Sequence, residues 1–358
     1  MTAVNQTVKN TAKKATKNPM KKFAIGTLTA SLALLCAGAL LVAIADPFFR
    51  LGPPGDNKIY SNERYGNPGM IRNLDYDTAV LGTSLVCNYR ASWFGDSAIK
   101  IGYQNGYISE FDTALDLAFR THPDLAKVYF GLDLNIFIRD ESQRTVELEP
   151  YLYNDNPLDD VAYFLNMEVY FRSLHLLLCR LNGTTTPLDD AYVWDGTHTF
   201  SREVTLSHYA RPPVSPPLPP EQYAAACDEN LAVLTRWLTE HPDTEYTFFI
   251  SPYSILFWDC AMRDGTADAK FFTLNRMVEQ LQGYPNLRLV FLMDQPEIIT
   301  NLDHFTDYVH CDGSVSHLLA DQLQGDDFLL TAENYKDVFS RFYDFVQHYD
   351  YDAIFATP

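Results

Sequence analysis

A run of 23 residues without a charge, Phe23 to Ala45, constrains this chain more than any other feature, because so long an apolar stretch does not sit in water as ordinary surface. As a helix it measures about 34 Å at 1.5 Å per residue, enough to cross the hydrocarbon of a bilayer. Lys9, Lys13, Lys14, Lys17, Lys21 and Lys22 precede it with no acidic residue among them, so residues 1–22 carry +6. The whole 358-residue chain has a formal charge of −19, which leaves −25 on the other 336 residues. That asymmetry orients the run, with residues 1–22 in the cytoplasm and 46–358 outside. Its length predicts a retained anchor, 23–45, crossing the cell membrane once. The other reading is a signal cleaved at Ala43-Ile44-Ala45, a small-x-small site. Either way the globular part is exported.

Composition narrows the class. With 47% apolar and 14% aromatic residues, the chain can bury a substantial core and is not disordered throughout. An acidic chain of this kind is not a nucleic-acid binder, since phosphate contacts need clustered Lys and Arg. Cys87, Cys179, Cys227, Cys260 and Cys311 are scattered, with no C-x-x-C spacing, so neither a zinc site nor a full disulfide framework is indicated. One or two bridges stay open. Mostly unpaired thiols in an exported chain point to a bacterial envelope.

Residues 46–75 read as irregular, with turns at Pro53-Pro54-Gly55 and Gly66-Asn67-Pro68-Gly69. From Asp77 onward strands and helices alternate. The runs 78–82, 98–101, 127–132, 244–251 and 288–293 have the short apolar character of buried parallel strands. Helical periodicity covers 110–122, 221–241, 268–281, 314–323 and 332–348. The rhythm breaks over about 136–220, an acidic and aromatic insertion with helical character near 157–180, ending in six prolines within 211–220 that predict a stiff spacer. The expectation is an α/β fold, a doubly wound five-stranded parallel sheet carrying one large insertion.

Reactive groups in such sheets sit at the carboxyl ends of strands. The first strand runs into Gly82-Thr83-Ser84, which puts a hydroxyl at its tip. After the fifth strand come Asp307-Tyr308-Val309-His310, a spacing that lets Asp307 orient the His310 ring. His310 is then a base for Ser84, the logic of an activated serine. Val86 stands where a Gly-x-Ser-x-Gly elbow needs glycine, which disfavours that arrangement. Asn88 and Arg90 follow closely and are candidate substrate contacts, Arg90 for a phosphate or carboxylate. His304, His317 and His348 show no spacing tied to Ser84. No phosphate loop, His-Glu-x-x-His or calcium loop is present, so no cofactor and no metal are expected.

The block Tyr76-Asp-Thr-Ala-Val-Leu-Gly-Thr-Ser84 and the block Asp307-Tyr-Val-His310 together resemble the SGNH (GDSL-like) hydrolase superfamily over roughly 77–325. The resemblance implies a flavodoxin-like sheet and a Ser84, Asp307, His310 triad. It implies oxyanion donors at the Ser84 N–H and at Gly106, with Gly102 as a rival. Where the family's third block has Gly-x-Asn, this chain reads Gly131-Leu132-Asp133, with Asn135 two residues on. An ionised Asp133 would repel an oxyanion; it stays open whether Asn135 substitutes, Asp133 stays protonated, or Asp133 binds a cationic acyl group. The anchor and the lead-in Arg64-Tyr-Gly-Asn-Pro-Gly69 are similar to members that accompany acylation of envelope polymers, resembling the D-alanyl-lipoteichoic-acid transfer family. The function so implied is serine acyl transfer or ester hydrolysis on an envelope polysaccharide or teichoic acid, with a membrane-bound O-acyltransferase as a candidate partner. The alternative is a non-catalytic protein of the same fold that binds polymer or that acyltransferase.

Overall fold

The computed structural model describes residues 19–54 and 58–356; Lys9, Lys13, Lys14, Lys17 and Gly55 lie outside them. The elements are α1 (Pro19–Ala45), α2 (Glu63–Asn73), β1 (Thr78–Gly82), β2 (Ala98–Gly102), α3 (Ile108–Thr121) and β3 (Lys127–Gly131). The insertion contributes α4 (Val161–Leu165) and α5 (Met167–Leu181). Then follow α6 (Ala224–Glu240), β4 (Glu245–Ile250), α7 (Ile255–Asp264), α8 (Ala267–Leu281), β5 (Leu287–Phe291), α9 (Gly313–Gln322), β6 (Leu329–Leu330) and α10 (Tyr335–His348).

The sheet order is β2-β1-β3-β4-β5-β6, with the first five strands parallel. The sixth, β6, pairs antiparallel with β5. Five strands were expected. Two residues cannot show a period of two, so Leu329-Leu330 left no pattern to read. Side chains alternate between two cores: Leu81, Phe130, Phe248 and Phe291 face the helices α3, α6, α8 and α10. Val80, Tyr129, Phe249 and Val290 face α9 and the loop after β1. Phe248 and Phe249 are thus core residues on opposite faces.

The irregular segment expected over 46–75 contains α2, despite Gly66, Pro68 and Gly69. Tertiary contacts explain why. A Cβ on Gly69 would lie 2.1 Å from the Phe48 carbonyl oxygen, so that position admits only glycine, and one on Gly66 would lie 2.4 Å from the Tyr192 hydroxyl, which would have to move. Pro68 has no N–H for the carbonyl of Arg64, and the Tyr153 hydroxyl donates to that oxygen instead at 3.1 Å. Packing overrides a sequence that disfavours helix.

The six cysteines are all free thiols. Burial pushes the thiols of Cys87, Cys227 and Cys311 up to about 12 from 9.0. These three will therefore react with a maleimide at pH 8 only after unfolding, as mass spectrometry of labelled native and denatured protein will show. The unfolded thiols ionise first, so this group of cysteines lowers stability as pH rises above 9.

Candidate active site

Ser84 opens a one-turn helix, Ser84–Val86, directly at the end of β1. Thr83 caps it, its Oγ1 accepting from the Leu85 N–H at 3.4 Å. The turn is tight because Val86 folds back over the strand ends. A Cβ on Gly82 would lie 2.5 Å from Val86 Cγ1, and one on Gly131 would lie 2.8 Å from it. Glycines at the ends of two neighbouring strands thus make room for the valine that rules out the Gly-x-Ser-x-Gly pattern. Being first in its helix, the Ser84 N–H has no partner within it.

The opposite wall is the segment from Phe305 to Cys311, closed by an antiparallel bridge between those two residues. Asp307 shapes it: Oδ1 accepts from the N–H groups of Val309 at 2.7 Å and His310 at 2.9 Å. Its Oδ2 accepts from His310 Nδ1 at 2.7 Å. That contact puts the ring proton on Nδ1 and leaves Nε2 to accept from the Ser84 hydroxyl, 2.7 Å away. Burial of Asp307 opposes its ionisation, yet the His310 ring and the two N–H groups outweigh it, and the carboxyl is held below its ordinary value. Residues 226 apart in the chain form one continuous relay. Geometrically, this arrangement can move a proton off Ser84 Oγ and return it.

No family model matches the chain, and no curated protein matches it. Among solved structures it is similar to one from Streptococcus pneumonia described as "a putative platelet activating factor", at 12% identity and a TM-score of 0.40. The match covers 73% of this chain and 89% of that one. A likeness of that size fixes neither family nor chemistry.

The remaining candidates fall in distinct places. Asp133 is buried and caps the short helix Leu134–Phe137. Its Oδ2 accepts from Thr83 Oγ1 at 2.9 Å, and its Oδ1 accepts from the Tyr253 hydroxyl at 2.7 Å and the Asn135 N–H at 2.9 Å. The carboxylate therefore braces the turn that carries Ser84. Asn135 lies half-buried in the short helix Leu134–Phe137. The Gly106 N–H donates to the Tyr103 carbonyl at 2.9 Å. Gly102, its rival, ends β2 level with Gly82, and its carbonyl accepts from Asn67 at 2.8 Å. Arg64 reaches this loop through Glu110 at 2.7 Å and the Gln104 carbonyl at 3.1 Å, so the lead-in helix α2 fixes where Gly106 sits.

Asn88 is buried and joins three segments: its Nδ2 donates to the Cys311 carbonyl at 2.9 Å, and its Oδ1 accepts from the Trp194 N–H at 2.9 Å. Trp194, from the insertion, sets its ring edge-on to His310 at 4.8 Å between centroids. Arg90 pairs with Asp190 at 2.8 Å and lies over the Trp93 ring. The insertion is thus a wall of the site. Nothing within it signals that Asp190 and Trp194 reach the loop after Ser84, because both contacts cross about a hundred residues. Lys100 was also missed as a site residue, although a lysine within the apolar strand Ala98–Gly102 is itself a signal. Of the other histidines, His304 bonds Asp312 at 2.9 Å and His317 stacks on Trp93.

Proposed function

We propose that this chain is a membrane-anchored extracytoplasmic serine acyl-transfer enzyme of the SGNH type. The observation that carries the reading is the relay from Asp307 through His310 to Ser84, with both hydrogen bonds at 2.7 Å. Ser84 Oγ attacks an acyl carbonyl while His310 Nε2 takes its proton. The bond to the leaving group then breaks as His310 returns the proton to it, and the acyl group remains as an ester on Ser84. An acceptor hydroxyl next loses its proton to His310 and attacks that ester, and Ser84 leaves with the proton. Water as acceptor gives hydrolysis; a sugar or polyol hydroxyl of an envelope polysaccharide or teichoic acid gives transfer. The Ser84 N–H is the first oxyanion donor and the Asn135 amide the second, the Gly106 N–H being held by the Tyr103 carbonyl.

Asp133 is braced against Thr83, and Arg90 is neutralised by Asp190. The neutralisation of Arg90 favours a neutral or cationic acyl group over an anionic one in so acidic a domain. A membrane-bound O-acyltransferase is a fitting acyl donor for such a protein.

Retention of the anchor is supported at the join. Val42 and Ala45 are buried, helix α1 continues through the small-x-small site, and Arg180 donates to the Ala45 carbonyl at 3.3 Å. A peptidase needs that segment extended, and here it is helical and packed.

A fluorophosphonate probe tests the catalytic reading. The expected result is a single adduct on Ser84, mapped by mass spectrometry and lost in His310→Ala. A folded protein that takes up no probe at any pH from 6 to 9 would instead be the non-catalytic polymer- or acyltransferase-binding protein.

A further inference from the structure

Helix α5 carries apolar side chains on two faces. Val169, Ser173 and Leu176 are buried against the domain. On the opposite side Met167, Phe171, Leu174, Leu178 and Leu181 recur at helical spacing and stand 62%, 58%, 37%, 59% and 84% exposed. Val161 and Leu165 of α4 extend the same surface at 58% and 54%. A contiguous stripe of this kind on a water-facing helix marks an interaction surface.

Its position on the anchor says what covers it. Helix α5 runs alongside the C-terminal part of α1: a Cβ on Gly38 would meet the Tyr170 ring at 3.7 Å, and Arg180 reaches the Ala45 carbonyl. An apolar groove of about 710 Å³ lies between them, lined on one side by Leu34, Leu35 and Leu41 and on the other by Phe164, Leu165 and Met167. Leu34 lies eleven residues inside Ala45, about 16 Å along the helix at 1.5 Å per residue. That is about half the thickness of a hydrocarbon core, so a segment beside Leu34 shares the slab with the anchor. Leu32, Leu40 and Ile44 on the other sides of α1 are exposed as well, as a membrane-spanning helix requires.

The helix terminus and the nearest charges of this corner have partners. Asn166 caps α5 by accepting from the Glu168 and Val169 N–H groups, and its amide donates to the hydroxyls of Tyr65 and Tyr151. Glu168 and Arg172 pair with each other at 2.8 Å. A helix whose terminus is satisfied by protein and whose Glu168 and Arg172 pair with each other can lie at the acyl-chain boundary.

We infer that the α4–α5 hairpin of the insertion seats its apolar stripe in the acyl chains of the leaflet at the C-terminal end of α1, so that the domain rests on the membrane by two elements instead of hanging from one. The inference rests on the reading of α1 as a membrane span. It gives the insertion a second task beside walling the active site, holding Ser84 at a fixed height above the lipid.

The test uses the full chain in phosphatidylcholine–phosphatidylglycerol vesicles, with a benzophenone amino acid placed singly at Leu32, Phe171, Leu178 or Glu333. Glu333 is exposed and follows β6, at the sheet edge away from α1. The expected result is lipid adducts at Phe171 and Leu178 comparable with those at Leu32 and roughly tenfold above those at Glu333, since hydrocarbon contact is confined to the bilayer. Lipid adducts at Leu32 with none at Phe171 and Leu178 overturn the hairpin inference and leave the anchor standing. Cross-links from Phe171 or Leu178 to a second copy or another protein overturn it equally. An absence of adducts at Leu32 overturns the anchor itself, and the hairpin inference with it.

Discussion

His310→Ala will lower kcat/KM for an activated short-chain aryl ester by about 10⁴-fold or more, with the thermal midpoint nearly unchanged. The ring lies between Ser84 Oγ and Asp307 at 2.7 Å on each side, so without it the hydroxyl has no base and a leaving group has no acid. Ser84→Ala is expected to be as severe, and the double variant no slower than either single one, because the three residues act as one relay. Asp307→Asn offers an amide to Nδ1 in place of an acceptor; the ring proton then moves to Nε2, facing Ser84, and activity falls by about 10⁴-fold. The Asp307 carboxyl is held below its ordinary value, so its bond to His310 contributes fully at neutral pH and is lost only as pH falls through that lowered value. A Ser84→Ala variant that folds normally and keeps the wild-type rate would end the serine mechanism.

The sequence exposed this site in part. Ser84 and His310 were legible because each follows a strand at a fixed topological position, and β1, β3, β4 and β5 show themselves as compact apolar runs. Their partners were not. Asn88 and Arg90 look like crevice residues by proximity, yet Asn88 closes on the Cys311 carbonyl and the Trp194 N–H, and Arg90 closes on Asp190. Such pairings join segments a hundred or more residues apart, and nothing in either segment alone announces the other. Helix α2 was hidden for a related reason, since its glycines are set by the backbone of Phe48 and the hydroxyl of Tyr192. Asp133 makes the same point: the resemblance left it a candidate contact for a cationic acyl group, whereas Thr83 and Tyr253 make it a brace.

Lys100→Met will destabilise the protein by about 2–4 kcal/mol at pH 7 and slow fluorophosphonate labelling of Ser84. Lys100 sits mid-strand in β2, opposite Val80, with 6% of its surface exposed. Its ammonium donates to the carbonyls of Cys87 at 2.7 Å and Tyr89 at 2.6 Å, the two that close the loop after Ser84. Methionine keeps the stem's volume but leaves both oxygens buried without a donor. Burial pulls the lysine from 10.5 to about 8, with the Cys87 thiol a smaller opposing influence. The sign follows: between about 8 and 10.5 the unfolded chain holds this proton and the folded one does not, so the group's contribution to stability rises with pH across that window. The gap between wild type and Lys100→Met, read from urea midpoints, therefore widens from pH 8 to pH 10. A gap that stays flat or narrows would mean that Lys100 is not the buried donor of this loop. Loss of stability with undiminished Ser84 labelling would separate the strand from the nucleophile it is placed to hold.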